Sequence, residues 1–151
     1  MENIGKYNDY VEEAKSTVDS NKYNIEDGIR ALRNIHNATN KIASNGNYML
    51  SEVLGRPETW RTYVLAAFVE LAEFIQFLPW KPWRDSVKEI DSEKLLDEFA
   101  DVLAFIGVLI TILGYLGYTP DDIASAYINK EFVNISRFAD KNKESINGTK
   151  I

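Results

Sequence analysis

The stretch LLDEFADVLAFIGVLI, residues 95–110, decides the fold of this chain. Its length and apolar content predict a helix that protein covers on most sides. Glu98 and Asp101 share one face of that helix, because residues three apart lie one above the other. An unpaired carboxylate in apolar surroundings is costly, so it needs a counter-ion, a proton or a metal ion.

A second apolar stretch, AAFVELAEFIQF (residues 66–77), repeats this arrangement with Glu70 and Glu73. The only other polar side chain in it is that of Gln76. The connection between the two stretches, about 20 residues, allows antiparallel helices, and the four carboxylates would then converge on one cleft. Two acidic residues at positions three apart in sequence are also common on solvated helix faces. This interpretation therefore depends on the apolar residues that surround the acids.

Carboxylate oxygens predict the metal and the substrate class. The chain has no cysteine, and His36 is its only histidine, so thiolate and multi-histidine metal sites are excluded. Oxygen ligands favour Mg²⁺, with Mn²⁺ as a substitute. Because Mg²⁺ commonly binds through carboxylates together with substrate phosphates, we expect a phosphorylated small molecule and metal-assisted attack of water on phosphorus.

Composition indicates one globular domain. The chain has 151 residues, of which 45% are hydrophobic and 26% are charged. This length and hydrophobic content are sufficient for one hydrophobic core. A net charge of −6 disfavours binding to duplex DNA and to anionic membranes. The first residues, MENIGKYNDYVEEAK, lack the apolar segment of a signal peptide, and the absence of cysteine fits a cytoplasmic protein.

Hydrophobic periodicity predicts an all-α fold, a bundle of four to five helices. The helices are expected over about 5–19, 25–44, 59–77, 92–113 and 120–138. Thr119, Pro120 and Asp122 form the start of the last helix, as N-cap, first helical residue and capping-box partner. We expect a single domain over residues 1–138, followed by a polar tail over 139–151.

The uncharged run VLAFIGVLITILGYLGY, residues 102–118, is at the short limit for a membrane span. Asp101 directly precedes it, three glycines interrupt it, and no second span follows. A helix buried in the bundle or between subunits is therefore the preferred interpretation, with a homodimer or homotetramer as the expected assembly and no membrane association.

A short loop, W-K-P-W-R at residues 80–84, lies between the two acid pairs. Trp80 and Trp83 would stack on a nucleobase, and Lys81 and Arg84 would contact phosphate. The alternative is that the tryptophans seal one end of the bundle.

One face of the predicted fifth helix is polar. It carries, at spacings of three and four residues, Tyr127, Lys130, Asn134 and Arg137. These side chains would bind a phosphate chain, or they would form an ordinary solvated face. His36 lies among asparagines in RNIHNATNK, where a surface or interface histidine is the simpler interpretation.

These motifs together resemble a known superfamily. E-L-A-E (70–73), W-K-P-W-R (80–84), E-F-A-D (98–101) and Y-I-N-K-E-F-V-N-I-S-R (127–137) occur in the same order in the all-α NTP pyrophosphatases. The resemblance covers about 60–138 and is closest to the dimeric dUTPases and the phage dCTPase/dUTPases, with MazG-like enzymes further off. It implies hydrolysis of a dNTP, expected to be dUTP or dCTP, to dNMP and pyrophosphate, in the cytoplasm of a bacterium or a phage-infected cell.

The resemblance also implies roles for individual residues. Mg²⁺ ions would be held by Glu70, Glu73, Glu98 and Asp101. Glu73 would in addition orient or deprotonate the attacking water. The triphosphate would be neutralised by Lys81, Arg84, Lys130 and Arg137. Asn134 would contact phosphate or sugar, and Tyr127 would belong to the site that binds the sugar and base.

Because the chain departs from the family pattern, the resemblance does not determine which base the substrate carries. The dimeric dUTPases often read uracil with a glutamine on an early helix, and DGIRALRNIHNATN (27–40) has none. Asn34 or Asn37 would take that role, since an amide pairs with a pyrimidine edge. Ala104 stands where the family often has a histidine. Another or modified dNTP is therefore an alternative substrate, and a non-catalytic helical interaction protein is the alternative from another class.

Overall fold

The computed structural model describes residues 2–43, 56–79 and 90–148. Within these ranges the chain forms five helices and no strand, which confirms the all-α prediction. The helices are α1 (Glu2–Ser20), α2 (Lys22–Ala43), α3 (Pro57–Gln76), α4 (Ser92–Tyr115) and α5 (Pro120–Gly148).

The helix boundaries differ from the predicted ones mainly at the chain ends. Only Asn21 separates α1 from α2, and its side-chain amide donates to the carbonyl oxygen of Thr17 at 2.8 Å. The last helix continues to Gly148, ten residues beyond its predicted end at 138. The polar tail is therefore helical as far as Gly148, and the division into one domain and a tail stays a prediction.

Side-chain caps fix where α4 and α5 begin. The Lys94 backbone N–H donates to Asp91 Oδ1 at 3.2 Å, so Asp91 caps α4. The Thr119 backbone N–H donates to Asp122 Oδ2 at 2.8 Å, and the Asp122 N–H donates to Thr119 Oγ1 at 3.2 Å. This reciprocal pair is the capping box predicted from the sequence, and it satisfies two backbone donors at the start of α5. The Thr119 backbone N–H and the Thr119 hydroxyl both donate to the Asp122 carboxylate, and they lower the pKa of Asp122.

The chain divides into two compact units. The first contains Met1–Gly28 and Thr119–Ile151, and within it α1 packs against α5. The Tyr7 hydroxyl donates to the Phe138 carbonyl oxygen at 3.4 Å and accepts from Asn142 Nδ2 at 3.0 Å. These contacts join α1 and α5, the first and last helices, within this unit.

The second unit, Ile29–Tyr118, contains the predicted acid-bearing helices α3 and α4, which pack against each other. Its core forms around Val108 and Ile112 of α4, against which Trp60 and Tyr63 of α3 pack. At the other end of α3, Phe74 meets Phe99 of α4. Since the start of α3 contacts the end of α4 and the reverse, the two helices are antiparallel, as the connection length predicts.

Gly107 allows α2 to approach α4 closely. A methyl group built at Gly107 would lie 3.1 Å from His36 Cβ and 3.1 Å from the Leu32 carbonyl oxygen. On the next turn Thr111, which is buried, donates to the Gly107 carbonyl oxygen at 2.9 Å. Gly107 is small, and the hydroxyl of Thr111 is hydrogen-bonded within α4. This side of α4 can therefore pack close to the α2 backbone.

The apolar helix α4 is only partly covered. Val102, Val108 and Ile110 are buried, whereas Leu96 is 68% exposed and Phe99 45% exposed. Within the described residues no single helix is long and apolar enough to cross a membrane, although Ser92–Tyr115 and Pro120–Asn142, taken as a bent pair, meet that test by length and composition.

The close approach at Gly107 is testable by comparing it with Gly28, near which a methyl group would meet no atom within 4 Å. Gly107→Leu should lower the free energy of unfolding by about 1–3 kcal/mol, because the added side chain must displace the α2 backbone. Gly28→Leu should be neutral or stabilising, since leucine is the better helix former. Urea unfolding of both variants measures this, and equal stabilities would contradict the described packing.

Candidate metal centre

Three carboxylates meet between α3 and α4. One oxygen atom from each of Glu70, Glu73 and Glu98 lies within 4.8 Å of the other two. Glu70 and Glu98 are half-buried, and Glu73 is exposed. The antiparallel packing of the helices produces this meeting, because it sets the end of α3 beside the beginning of α4.

The fourth predicted ligand, Asp101, is exposed and is not among these three carboxylates. Its negative charge nevertheless helps to raise the pKa of both Glu70 and Glu98. Asp101 therefore lies near enough to interact electrostatically with the cluster. We use "acidic cluster" below for Glu70, Glu73, Glu98 and Asp101.

An aromatic contact fixes the register of the two helices at the acidic cluster. The ring centroids of Phe74 and Phe99 are 5.7 Å apart, with an interplanar angle of 49°. Each ring directly follows a cluster glutamate in sequence, Glu73 and Glu98 respectively. Because tilted aromatic pairs are favourable beyond the area they bury, this contact holds the two glutamates at one level along the helices.

The acidic cluster is electrostatically unfavourable as it stands. Partial burial raises the pKa of Glu70 above its ordinary value of 4.5, and the negative charges of Glu73, Asp101 and Glu98 raise it further. Partial burial also raises the pKa of Glu98, followed by the charges of Glu73, Asp101 and Asp97. Within the described residues, no ion pair with lysine or arginine involves the cluster. A bound cation would relieve this repulsion.

The donor set fits a hard divalent cation. Two ligands on opposite sides of one Mg²⁺ are about 4 Å apart, because each Mg–O distance is 2.0–2.1 Å. The oxygen spread of up to 4.8 Å in Glu70, Glu73 and Glu98 is slightly wider than this. Small side-chain rotations would close the difference, and carboxylates from helices readily make them. The cluster offers oxygen only, which suits Mg²⁺ or Mn²⁺ better than zinc.

The polar residues predicted on the fifth helix lie together on α5, in the first unit. Arg137 Nη2 donates to Asn134 Oδ1 at 3.3 Å, and Asn134 Nδ2 donates to Glu131 Oε1 at 3.2 Å. Tyr127 and Lys130 are exposed. Asn134 and Arg137 thus form one hydrogen-bonded group, while a role for this face in phosphate binding stays a prediction.

The other predicted base and phosphate contacts have different outcomes. The loop residues Trp80, Lys81, Trp83 and Arg84 lie outside the described residues. Asn34 is exposed, and Asn37 is half-buried with its Oδ1 3.5 Å from Thr111 Oγ1. His36 is half-buried beside Gly107, so it is less exposed than a surface histidine.

Comparison with known families identifies the class of the chain. A family described as dUTPase matches residues 33–113, more than half of the chain. The chain therefore belongs to this dUTPase family, within the all-α NTP pyrophosphatases, as the sequence resemblance implied. No curated protein and no solved structure matches the chain.

The matched segment differs in extent from the resemblance found by motif. It begins at residue 33, within α2, whereas the motifs begin near 60. It ends at residue 113, before α5, so it includes all four carboxylates but not Tyr127–Arg137. The second half of α2 is therefore part of the family pattern.

The raised pKa values predict how stability depends on pH without metal. A folded-state pKa above 4.5 means that Glu98 contributes stability below about pH 4.5 and loses it as the pH rises through the folded value. In the presence of a chelator, the melting temperature of the wild type should therefore fall more steeply than that of Glu98→Gln as the pH is raised towards neutrality. Calorimetric scans across this range measure the difference.

Glu13→Gln provides the matched control, since Glu13 is an exposed glutamate of α1. Its melting curve should run parallel to that of the wild type at every pH. Adding Mg²⁺ at neutral pH should raise the melting temperature of the wild type and of Glu13→Gln, but far less that of Glu98→Gln. Parallel behaviour of all three proteins would show that the carboxylates of the cluster do not repel one another and do not bind a cation.

Proposed function

We propose that this protein is a Mg²⁺-dependent pyrophosphatase that hydrolyses a dNTP, dUTP or dCTP, to the dNMP and pyrophosphate. One observation carries the proposal: the acidic cluster lies within the segment that matches the dUTPase family, and its geometry suits a divalent cation. The proposed place of action is the cytoplasm, where nucleotide pools are found.

The charge of the acidic cluster explains why a metal is needed. Four carboxylates repel a triphosphate, so substrate and protein bind only if cations lie between them. Glu70 and Glu98 are half-buried and would serve mainly as ligands. Mg²⁺, when bound, would stabilise the negative charge that develops on the phosphoryl oxygens.

Glu73 is the proposed general base. It is the exposed member of the three converging glutamates, so water can reach its carboxylate. The water oxygen forms a bond to the α-phosphorus while the bond from the α-phosphorus to the bridging oxygen breaks. That oxygen leaves with the pyrophosphate, and the water proton passes to Glu73.

Basic side chains are proposed to bind the remaining phosphate charge. Arg137 presents a guanidinium whose orientation is restricted by Asn134 and by the Phe138 ring, which lies 5.0 Å from the guanidinium carbon. A planar guanidinium bonds phosphate oxygens through two donors at once. Lys130, two helical turns away on the same face, would add a second positive charge, as would Lys81 and Arg84.

A pyrophosphate-release screen tests the activity. Purified protein with Mg²⁺ should release pyrophosphate from at least one common dNTP, with dUTP and dCTP the best substrates. Glu73→Gln should reduce kcat by about 10²–10⁴-fold, the usual contribution of a general base. Its melting temperature should stay close to that of the wild type, because Glu73 is exposed.

Glu13→Gln is again the control and should keep the wild-type rate. Full activity of Glu73→Gln would remove this residue from the mechanism. If no nucleotide in a complete panel is turned over while Mg²⁺ binding is demonstrated, the hydrolase proposal is wrong. Absence of both turnover and metal binding would favour the helical interaction protein.

Self-association is proposed for the surface of α3 that faces away from α4. Leu65, Phe68 and Val69 lie on it and are 65%, 64% and 53% exposed. Contiguous exposed apolar side chains on one helix face are typical of an interaction surface, and a second copy of the chain is the proposed occupant. The expected assembly is a homodimer or homotetramer.

Light scattering at micromolar concentration should therefore give at least twice the chain mass of 17.2 kDa. Phe68→Glu should shift the distribution towards the monomer, since a buried unpaired charge opposes association. Glu13→Gln should leave the mass unchanged. A monomeric wild type would contradict the proposed interface.

A further inference from the structure

A pair of aromatic rings joins the end of α3 to the start of α4, beside the acidic cluster. The ring centroids of Phe74 and Phe99 are 5.7 Å apart. Within the described residues, no hydrogen bond and no ion pair connects these two helix ends. The ring pair is therefore the directional contact that determines how the two helices are turned towards each other at the cluster.

Each ring lies close to a proposed metal ligand on its own helix. Phe74 follows Glu70 by four residues, so the two side chains are neighbours on one face of α3. Phe99 directly follows Glu98 and precedes the buried Val102 by three residues. One side of the Phe99 ring therefore faces the interior, although the residue as a whole is 45% exposed. If the ring contact changes, the ligands move with the helix that carries them.

A small rotation of either helix would separate the carboxylates. Side-chain ends lie about 5–6 Å from a helix axis, so a rotation of about 20° moves a carboxylate by about 2 Å. Magnesium requires oxygen distances of about 2.0–2.1 Å. The oxygen atoms of Glu70, Glu73 and Glu98 already spread over up to 4.8 Å. A further displacement of this size would need a change of side-chain rotamer, which has an energetic cost.

An aromatic pair restricts such a rotation better than an aliphatic contact does. Ring quadrupoles favour a limited set of mutual orientations, and the angle of 49° between these two rings is a tilted arrangement of that kind. Leucine fills a similar volume but has no preferred orientation relative to a ring. Replacing one ring by leucine should therefore keep most of the apolar packing and lose the restriction on rotation.

We propose that Phe74 and Phe99 are positioning residues of the metal centre, and that their contact sets the rotation of α3 and α4 at which Glu70, Glu73 and Glu98 share one divalent cation. The inference rests on the proposed function, because it assigns the cation to the acidic cluster. Neither ring offers a ligand atom to the metal. Both act through the helices that carry the ligands.

Binding of Mn²⁺ alone tests the proposal without nucleotide or turnover, with the free ion followed by its paramagnetic resonance. Phe74→Leu and Phe99→Leu should each raise the Kd for Mn²⁺ at least tenfold. The double variant should resemble either single variant, because the contact is already lost in each. Phe99→Tyr should keep the wild-type Kd, since the ring is retained and its hydroxyl can reach solvent from a half-exposed position.

Tyr63→Leu is the matched control for loss of packing. Tyr63 lies at the other end of the interface between α3 and α4, where it packs against Val108 and Ile112. Its replacement should lower the melting temperature at least as much as Phe99→Leu does. The Kd for Mn²⁺ should nevertheless stay within twofold of the wild-type value, because the helix ends that carry the cluster keep their ring contact.

Turnover at saturating Mg²⁺ separates positioning from a simple loss of metal. Phe99→Leu should still have a kcat at least tenfold below the wild-type value, because the Glu73 carboxylate is displaced from the attacking water. The KM for the preferred dNTP should change less than kcat. Phe99→Tyr and Tyr63→Leu should both keep the wild-type kcat.

Three outcomes would overturn the inference. They are a wild-type Kd for Mn²⁺ in Phe99→Leu, an equal rise of Kd in Tyr63→Leu, and effects of the two single leucine variants that multiply in the double variant.

The failure of this inference and the failure of the proposed function are distinguishable. If the wild type hydrolyses a dNTP while Phe99→Leu binds Mn²⁺ normally, the rings do not position the site and the hydrolase proposal stands. If no dNTP is hydrolysed but Phe99→Leu weakens Mn²⁺ binding and Phe99→Tyr does not, the hydrolase proposal fails and the positioning role stands. A wild type that binds no Mn²⁺ would overturn both.

Discussion

Repulsion among carboxylates held between two apolar helices is the constraint on which the candidate site depends. Glu70 and Glu98 lose part of their hydration and also face other negative charges. Such an arrangement destabilises a metal-free protein, so the packing of α3 on α4 must offset it. The Phe74–Phe99 contact and the core around Val108 provide that packing. The repulsion thus favours cation binding by the folded chain, and it lowers the stability of the metal-free protein. Such a loss of stability is common at functional sites.

Helix packing separates structural from functional surfaces on α4. One side carries the acidic cluster and the residues that contact α3, and the opposite side, with Gly107, approaches α2. Packing on α3 therefore fixes the side of α4 that carries the cluster, while α2 meets the opposite side at the small residue Gly107.

Much of this arrangement is predictable from the sequence, because it follows from local rules. The capping box at Thr119 and Asp122 depends on residues three apart, and the antiparallel packing of α3 and α4 depends on connection length. The meeting of Glu70, Glu73 and Glu98 follows from the same reasoning. That reasoning does not distinguish the half-buried Glu70 from the exposed Asp101, which is not among the three.

Other features depend on tertiary contacts that leave no local pattern. Gly107 reads as an interruption of an apolar run, and only the approach of α2 explains it. His36 reads as a surface or interface residue, because its asparagine neighbours give no sign of the groove it lines with Ala104. The helix also continues to Gly148, beyond its predicted end at 138, since a polar sequence without a strong hydrophobic period does not indicate where a helix ends.

The most direct test of the account is to locate a bound cation by anomalous X-ray scattering from crystals grown with Mn²⁺. A peak is expected between α3 and α4, in contact with carboxylate oxygens of Glu70, Glu73 and Glu98. A map at full Mn²⁺ occupancy elsewhere, with these three side chains pointing apart into solvent, would contradict it.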